Sequence, residues 1–326
     1  MEILLTGASG FVGSSLLGEL RRRGHEVRAL TRDPSRLRGA EATVVRGDAV
    51  TGEGLERALR GVDLAYYLIH SMETLPAAGG AGVPRSGAGG FVERERLAAA
   101  NFAAAASAAG VGRIVYLGGL VPRWDGAEGE LTRGARTRRS RHLASRAEVE
   151  RILLEAVPDS IALRASIVIG ARSRSFRLLV RLVERMPVLA LPAWQRFRTQ
   201  PIDERDVIAM LLACVESELS GAVLEVGGPD VLSYGEMLER IAEAMLVGRP
   251  ALRLRLSLTP IAGRVAAAIA SEDPALVVPL MEGLQGDLIP REDHAAERLG
   301  VRLHSFDSAV EHALAEWERA EPLAAR

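Results

Sequence analysis

The segment Thr6-Gly7-Ala8-Ser9-Gly10-Phe11-Val12-Gly13 sets three glycines at intervals of three, directly after the apolar run Ile3-Leu4-Leu5. In a strand-turn-helix context each glycine has a separate task. The first permits a tight turn, the second lets backbone approach a pyrophosphate, and the third lets a helix pack closely. Unpaired N–H groups at the helix start, with the macrodipole adding about 0.3–1 kcal/mol per favourable charge, then attract phosphate. Thr6, Gly7, Ser9, Gly10, Phe11, Val12 and Gly13 are therefore candidate contacts for a dinucleotide.

The end of the next apolar run refines the ligand. A carboxylate there bonds the 2′-hydroxyl of NAD and repels a 2′-phosphate. Here the sequence is Ala29-Leu30-Thr31-Arg32. Arg32 suits a dianionic phosphate, and Thr31 offers a further donor. Asp33 complicates the reading, because it either pairs with Arg32 or turns inward. NADP(H) is favoured, with NAD(H) possible. Gly47-Asp48-Ala49 follows a third apolar run, where an adenine ring would lie. Asp48 serves there either as an acceptor for the exocyclic amine or as a cap for the following segment.

Fewer residues offer proton transfer. His70 follows a fourth run, at the mouth of the expected crevice or simply at a strand end. All 41 basic residues are arginine, and the sequence contains no lysine. Cys214 is the single cysteine, which excludes a disulfide framework and a cysteine metal cluster; no metal site is expected. Arg133, Arg136, Arg138 and Arg139 form either a solvated face or a site for an anionic partner.

The elements that must position these groups follow from hydrophobic period. Strands are expected at about 2–6, 26–31, 43–46, 63–68, 112–117 and 159–164, with helices near 11–23, 52–60, 91–109 and 141–156. Strands alternating with helices long enough for right-handed crossovers make an α/β fold, a doubly wound parallel sheet of Rossmann type. Two irregular stretches, 75–90 and 121–140, read as loops. Beyond residue 165 helices are expected near 174–185, 204–216, 233–246, 258–270, 274–283, 291–299 and 307–320, with strands near 199–202 and 222–226. The expected organisation is a dinucleotide domain over 1–165, to which 199–228 returns, and a smaller, mainly helical C-terminal cap from 166–198 and 229–326.

With 326 residues, 48% of them hydrophobic, the chain can bury a sizeable core without staples. A net charge of −1 and the lack of any recognition motif argue against a nucleic-acid partner. The run from Met1 reads as a strand rather than a leader, and no apolar stretch is long enough to span a bilayer. These features point to a soluble, cytoplasmic protein; its oligomeric state is not encoded in any motif.

Taken together, the Gly7–Gly13 motif, Thr31-Arg32-Asp33, Gly47-Asp48 and the later Gly227-Gly228-Pro229 resemble the short-chain dehydrogenase/reductase superfamily. More closely, the chain resembles its atypical, NmrA-like NAD(P)H-binding, nucleoside-diphosphate-sugar epimerase-like branch. Tyr66–Met72, Ile114–Leu120 and Leu163–Gly170 extend the likeness. The resemblance implies further cofactor contacts from Leu68, Ile69, Leu117, Gly118, Gly119, Ala165, Ser166 and Ile167. It also implies a serine after the fifth strand and a Tyr-x-x-x-Lys pair on the next helix. Those positions hold Gly118 and Gly119, His142 and Arg146. Histidine titrates near 6.5 and arginine can bond a ribose, so His142 and Arg146 join His70 as catalytic candidates. Alternatively, His142 and Arg146 lie on the polar face of a helix, and Asn101 is either a cofactor-facing group or a helix-surface residue. Two functions follow: a reductase passing hydride to a small organic substrate without the usual set, or a non-catalytic redox sensor whose NADP(H) occupancy governs a protein partner.

Overall fold

A computed structural model describes residues 1–69, 88–120, 141–254, 286–292 and 294–321. Seven strands form the principal sheet: β1 (Glu2–Thr6), β2 (Glu26–Thr31), β3 (Thr43–Arg46), β4 (Leu64–Tyr67), β5 (Arg113–Gly119), β6 (Ile161–Ala165) and, last in chain order, the strand Ala222–Val226. Their spatial order is Ala222–Val226, β6, β5, β4, β1, β2, β3. The pairings of β1 with β2, β1 with β4, β2 with β3 and β4 with β5 are all parallel. Chain order thus reverses between β1 and β4, and the crevice beyond the carboxyl ends of such strands is where an open α/β sheet binds ligands.

Helices α1 (Phe11–Arg22), α2 (Leu55–Leu59), α3 (Ala88–Ala108) and α4 (Arg141–Ala156) connect these strands. Gly13, Leu16, Leu17 and Leu20 repeat at helical spacing and form the buried stripe of α1. In α3 the buried stripe is Ala98, Ala99, Phe102, Ala103 and Ala106. Its small side chains favour close approach, and the Phe102 ring meets Tyr67 edge-on with centroids 5.0 Å apart. Arg113 ties the base of the sheet together. Its guanidinium pairs with Asp159 at 2.7 Å and donates to the carbonyls of Cys214, Ser217 and Leu219. Burial pushes the Cys214 thiol up to about 12, with Arg113 opposing, so this cysteine behaves as the small apolar residue expected of it.

The chain divides into two compact units. The first holds the described residues of 1–119 with Arg141–Arg164 and Ile208–Leu224. The second holds Leu120, Ala165–Val207 and the described residues from 225 onward, so 199–207 and 225–228 belong to it. Its core gathers Phe176, Trp194, Tyr234, Phe306 and Trp317. It contains β7 (Val168–Ile169), α5 (Arg174–Arg185), β8 (Leu189–Leu191), β9 (Arg198–Thr199) and β10 (Ile202–Asp203). After α6 (Glu204–Glu216) and β11 (Ala222–Val226), which run across the division, come β12 (Leu232–Ser233), α7 (Tyr234–Ala244), β13 (Ala251–Arg253), α8 (Ala295–Arg298) and α9 (Phe306–Ala320). Ser233 and Glu236 start α7 with a reciprocal capping box.

Three expected elements differ. The strand near 199–202 is two short strands, because Gln200-Pro201 intervenes and proline lacks an N–H. The helix near 52–60 contracts to Leu55–Leu59, since Gly52 and Gly54 both take positive φ. The helix near 291–299 contracts to Ala295–Arg298, and the Arg291 amide instead donates to the Glu225 carboxylate. The expected helices near 258–270 and 274–283, and the 75–90 and 121–140 loops apart from the start of α3, lie outside the described residues.

Candidate functional site

The turn between β1 and α1 is built by backbone alone. Gly7 takes φ +70°, and the Gly10 amide donates to its carbonyl at 2.8 Å. A Cβ at Gly7 would meet the Leu68 carbonyl oxygen at 2.7 Å, and one at Gly13 would meet the Gly7 oxygen at 2.2 Å. Gly10 behaves differently: a Cβ there would meet only the Gly7 oxygen, at 3.1 Å. Gly10 is exposed and caps α1 in extended conformation, with no side chain bonded to the helix start and no acidic residue in the first turn. The positive end of α1 is thus left to an anion, and Ser9, Phe11 and Val12 stand around it half-buried. These residues fit a pyrophosphate.

Thr6, a candidate ligand contact, lies beneath this turn. Fully buried, its hydroxyl donates to the Tyr66 carbonyl and accepts the Leu68 amide, both at 3.0 Å. It fastens β1 to β4 beneath the turn.

At the end of β2 the Asp33 ambiguity resolves. Asp33 Oδ1 accepts from the Ser35 amide at 2.9 Å and hydroxyl at 2.6 Å, starting the 3₁₀ turn Pro34–Leu37. Those two bonds hold its carboxyl below the usual range. Arg32 is exposed and has no side-chain hydrogen bond or ion pair among the described residues. The Thr31 hydroxyl, expected to face a phosphate, donates instead to the Asp33 carbonyl at 3.1 Å. Of the pair, Arg32 alone remains directed by no protein partner.

Asp48 caps its own turn: Oδ1 accepts the Val50 amide at 2.8 Å, and its backbone bridges to Glu53. Its second oxygen has no bond among the described residues. Ala49 is buried. Asn101, read as either a cofactor contact or a surface residue, is half-buried and bonded to the loop after β3. Its side-chain nitrogen donates to the carbonyls of Ala49 at 3.1 Å and Val50 at 2.8 Å, pinning the loop after β3 to α3. A lone asparagine on an alanine-rich helix was the sequence signal for this bond.

Leu68 and Ile69 extend from β4, and Leu117, Gly118 and Gly119 close β5. A Cβ at Gly118 would stand 2.9 Å from Tyr116 Cε1 and 3.2 Å from its hydroxyl oxygen, so the tyrosine ring fills the space of the expected serine. Arg146 on α4 is half-buried and acts on Tyr116 and Tyr67, which places it on the sheet side rather than on a solvated face. Glu150, one turn on, takes Arg164 of β6 in a fork at 2.9 and 2.7 Å. Ser145 donates at 2.8 Å to the buried carboxylate of Glu95 on α3. This polar cluster between α3, α4 and the sheet was not apparent from sequence, because its members lie on five elements. His142 is one turn before Arg146; its side chain and all of His70 lie outside the described residues.

In the second unit Ala165, Ser166 and Ile167 form a chain of backbone bonds. The Ala165 carbonyl accepts the Leu120 amide, the Ser166 amide donates to Val226, and the Ile167 carbonyl accepts Ile202. Ser166 is buried, with its hydroxyl 3.2 Å from that of Thr199. Among the described residues no group of histidine, cysteine and acidic side chains has metal-holding geometry, and no helix is long and apolar enough to cross a membrane.

Residues 7–159 match the model of a family described as NAD(P)H-binding. Over 116 residues, 35% of this chain, the sequence is 36% identical to a 3-beta-hydroxysteroid dehydrogenase of Mycolicibacterium neoaurum. Over 136 residues, 41% of the chain, it is 38% identical to a (4-alkanoyl-5-oxo-2,5-dihydrofuran-3-yl)methyl phosphate reductase of Streptomyces griseus. The matched segments span only 31% and 40% of those two proteins. In fold, the chain is similar to a short-chain dehydrogenase/reductase superfamily protein of Agrobacterium tumefaciens solved with bound NAD. That match has a TM-score of 0.67 at 20% identity and covers 98% of both chains.

Proposed function

From the NAD(P)H-binding family domain that residues 7–159 carry, we propose that this protein is an NADP(H)-dependent reductase of a small organic carbonyl or conjugated alkene. The observation that carries the reading is the bare start of α1, where the Gly7–Gly13 turn leaves backbone amides for a pyrophosphate and no side chain competes. Arg32, without a protein partner among the described residues, supplies charge for the 2′-phosphate of NADP(H). Asp48 accepts from the adenine through its remaining oxygen, Ala49 lies beneath the ring, and Asn101 holds that loop in place.

When bound, the reduced dinucleotide supplies a hydride. The chain supplies orientation: Leu68 and Ile69 beyond β4, Leu117 to Gly119 beyond β5, and Ala165 to Ile167 on the nicotinamide side. Arg146 holds the nicotinamide ribose in place of a lysine. His142, His70 or water returns the proton in this reading. That the two curated relatives above are named as a dehydrogenase and a reductase supports an oxidoreductase rather than a binding module.

One observation favours a non-catalytic redox sensor instead: position 118, where a serine is expected, holds a glycine with the Tyr116 ring against it, and no lysine exists. Incubating the full chain with NADPH and a panel of enones, quinones and aldehydes separates the two. Acceptor-dependent oxidation of the cofactor supports the reductase, whereas tight NADPH binding with no oxidation above buffer supports the sensor.

A further inference from the structure

Among the described residues Leu246 is the one residue other than glycine with a left-handed backbone, at φ +56°, and it is 93% exposed. It closes α7 in a Schellman turn: its amide donates to the Glu243 carbonyl at 2.9 Å, and the Val247 amide donates to the Ala242 carbonyl at 3.0 Å. Glycine is the usual occupant of that position, because it has no Cβ to strain. The apolar contact that goes with such a turn is made by Val247, which packs on the core of the second unit. Neither backbone nor core benefits from a leucine at 246, so its use lies outside the chain's own folding.

An apolar face follows a few residues on. In the ribbon of β8 and β13, Leu252 pairs with Ala190, while the alternate residues Leu189 and Leu191 are buried in the core. The period of two therefore places Val188, Ala190, Leu252 and Leu254, all exposed, on the outer face. Between Leu246 and this ribbon, Arg249 donates to the carbonyls of Val183 and Glu184 at 2.9 and 3.0 Å, tying the stretch to the end of α5. Along α5, Arg174, Arg177, Arg181 and Arg185 recur at helical spacing. Residues 172–185 hold five arginines against one glutamate, in a chain of net charge −1, and residues 246–254 add Arg249 and Arg253 with no acid. Glu321 pairs with Arg177, Glu239 of α7 pairs with Arg253, and Glu243 is exposed at the end of α7. The surface keeps a positive surplus beside its apolar face.

We propose that this face of the second unit docks on an anionic membrane surface. Its arginines sit at the level of the headgroup phosphates, and Leu246, Val188, Leu252 and Leu254 enter the boundary between headgroups and acyl chains. A bilayer fits these residues better than a macromolecular partner does. No exposed large hydrophobic among the described residues is aromatic, the usual anchor of a protein interface, and a nucleic acid would leave the leucines in water. The docking is independent of the reductase reading, and no turnover is needed to test it.

The test is co-sedimentation of the full chain with vesicles of phosphatidylcholine alone, and of phosphatidylcholine with an equal share of phosphatidylglycerol. Affinity for the anionic vesicles should exceed that for neutral ones by about tenfold or more and should fall in high salt. Leu246→Gly relieves the backbone, so it should melt no lower than the wild type, yet bind anionic vesicles about tenfold more weakly, the low end for withdrawing a leucine from an apolar phase. Arg174→Gln and Arg185→Gln should each weaken binding about fivefold. Soluble glycerol phosphate at millimolar concentration should not displace the protein. Equal sedimentation with both vesicle types overturns the proposal. So does full anionic binding by Leu246→Gly, which would reduce the face to a charged patch of the kind that an acidic protein or a nucleic acid also meets. Displacement by glycerol phosphate overturns it in favour of a phosphate site, and lipid-free self-association that Leu246→Gly disperses overturns it in favour of an interface between two copies of the chain.

Discussion

The α-carbon of Gly13 packs so closely on Gly7 that a methyl group there would stand 2.2 Å from the Gly7 carbonyl oxygen. Neither partner is a flexible side chain, so the turn itself must move to admit one. Gly13→Ala should therefore destabilise the protein by about 1–3 kcal/mol, the usual cost of overpacking, and weaken dinucleotide binding. Thermal melts followed by circular dichroism, with and without NADPH, check both; an unchanged melting temperature would mean that the turn relaxes freely.

Arg32 separates the two dinucleotides. Because Asp33 is engaged with Ser35 and Thr31 with the Asp33 backbone, Arg32 at the end of β2 is free to face a 2′-phosphate. Arg32→Ala should weaken NADPH by about tenfold or more, equivalent to about 1.4 kcal/mol, and hardly affect NADH. Equal losses for both cofactors, measured by calorimetric titration, would remove the phosphate role.

Asn101 acts at one remove from any ligand. Asn101→Ala deletes two bonds to the carbonyls of Ala49 and Val50, which should cost about 1–3 kcal/mol of stability and free the loop carrying Asp48. Hydrogen exchange at Val50 and Thr51 should accelerate relative to the β1 amides. Unaltered protection there would show that α3 does not hold the loop.

Much of this was legible in the sequence, for identifiable reasons. The glycine turn and the first six strands announce themselves through local spacing and period, which depend on neighbours in the chain. Asn101, Glu95, Ser145 and Tyr116 could not be read that way. Their roles arise from α3, α4 and β5 meeting in space, and a tyrosine inside Ile114–Leu120 looks like any other apolar strand residue. The bonds of Thr6 and Thr31 escape the motif for another reason: both hydroxyls stand in it, and which backbone groups they meet depends on the neighbouring strand and turn.

His142 is one of the proton donors in the reductase reading, and its test is a pH profile. If it is the acid, His142→Ala should lower turnover about 100-fold, the lower end for general acid catalysis. The sign is informative: a histidine acid gives activity that falls as pH rises through the ordinary histidine range near 6.5. Wild-type turnover in His142→Ala would leave the role to His70 or water.

The most direct measurement is a calorimetric titration of the folded full chain with NADPH and, in parallel, NADH. Saturable one-to-one binding, tighter for NADPH than for NADH and weakened in Gly13→Ala, is the result that a phosphate-gripping start of α1 requires. Heat of dilution alone for both dinucleotides, at millimolar concentration and with the protein demonstrably folded, would contradict it.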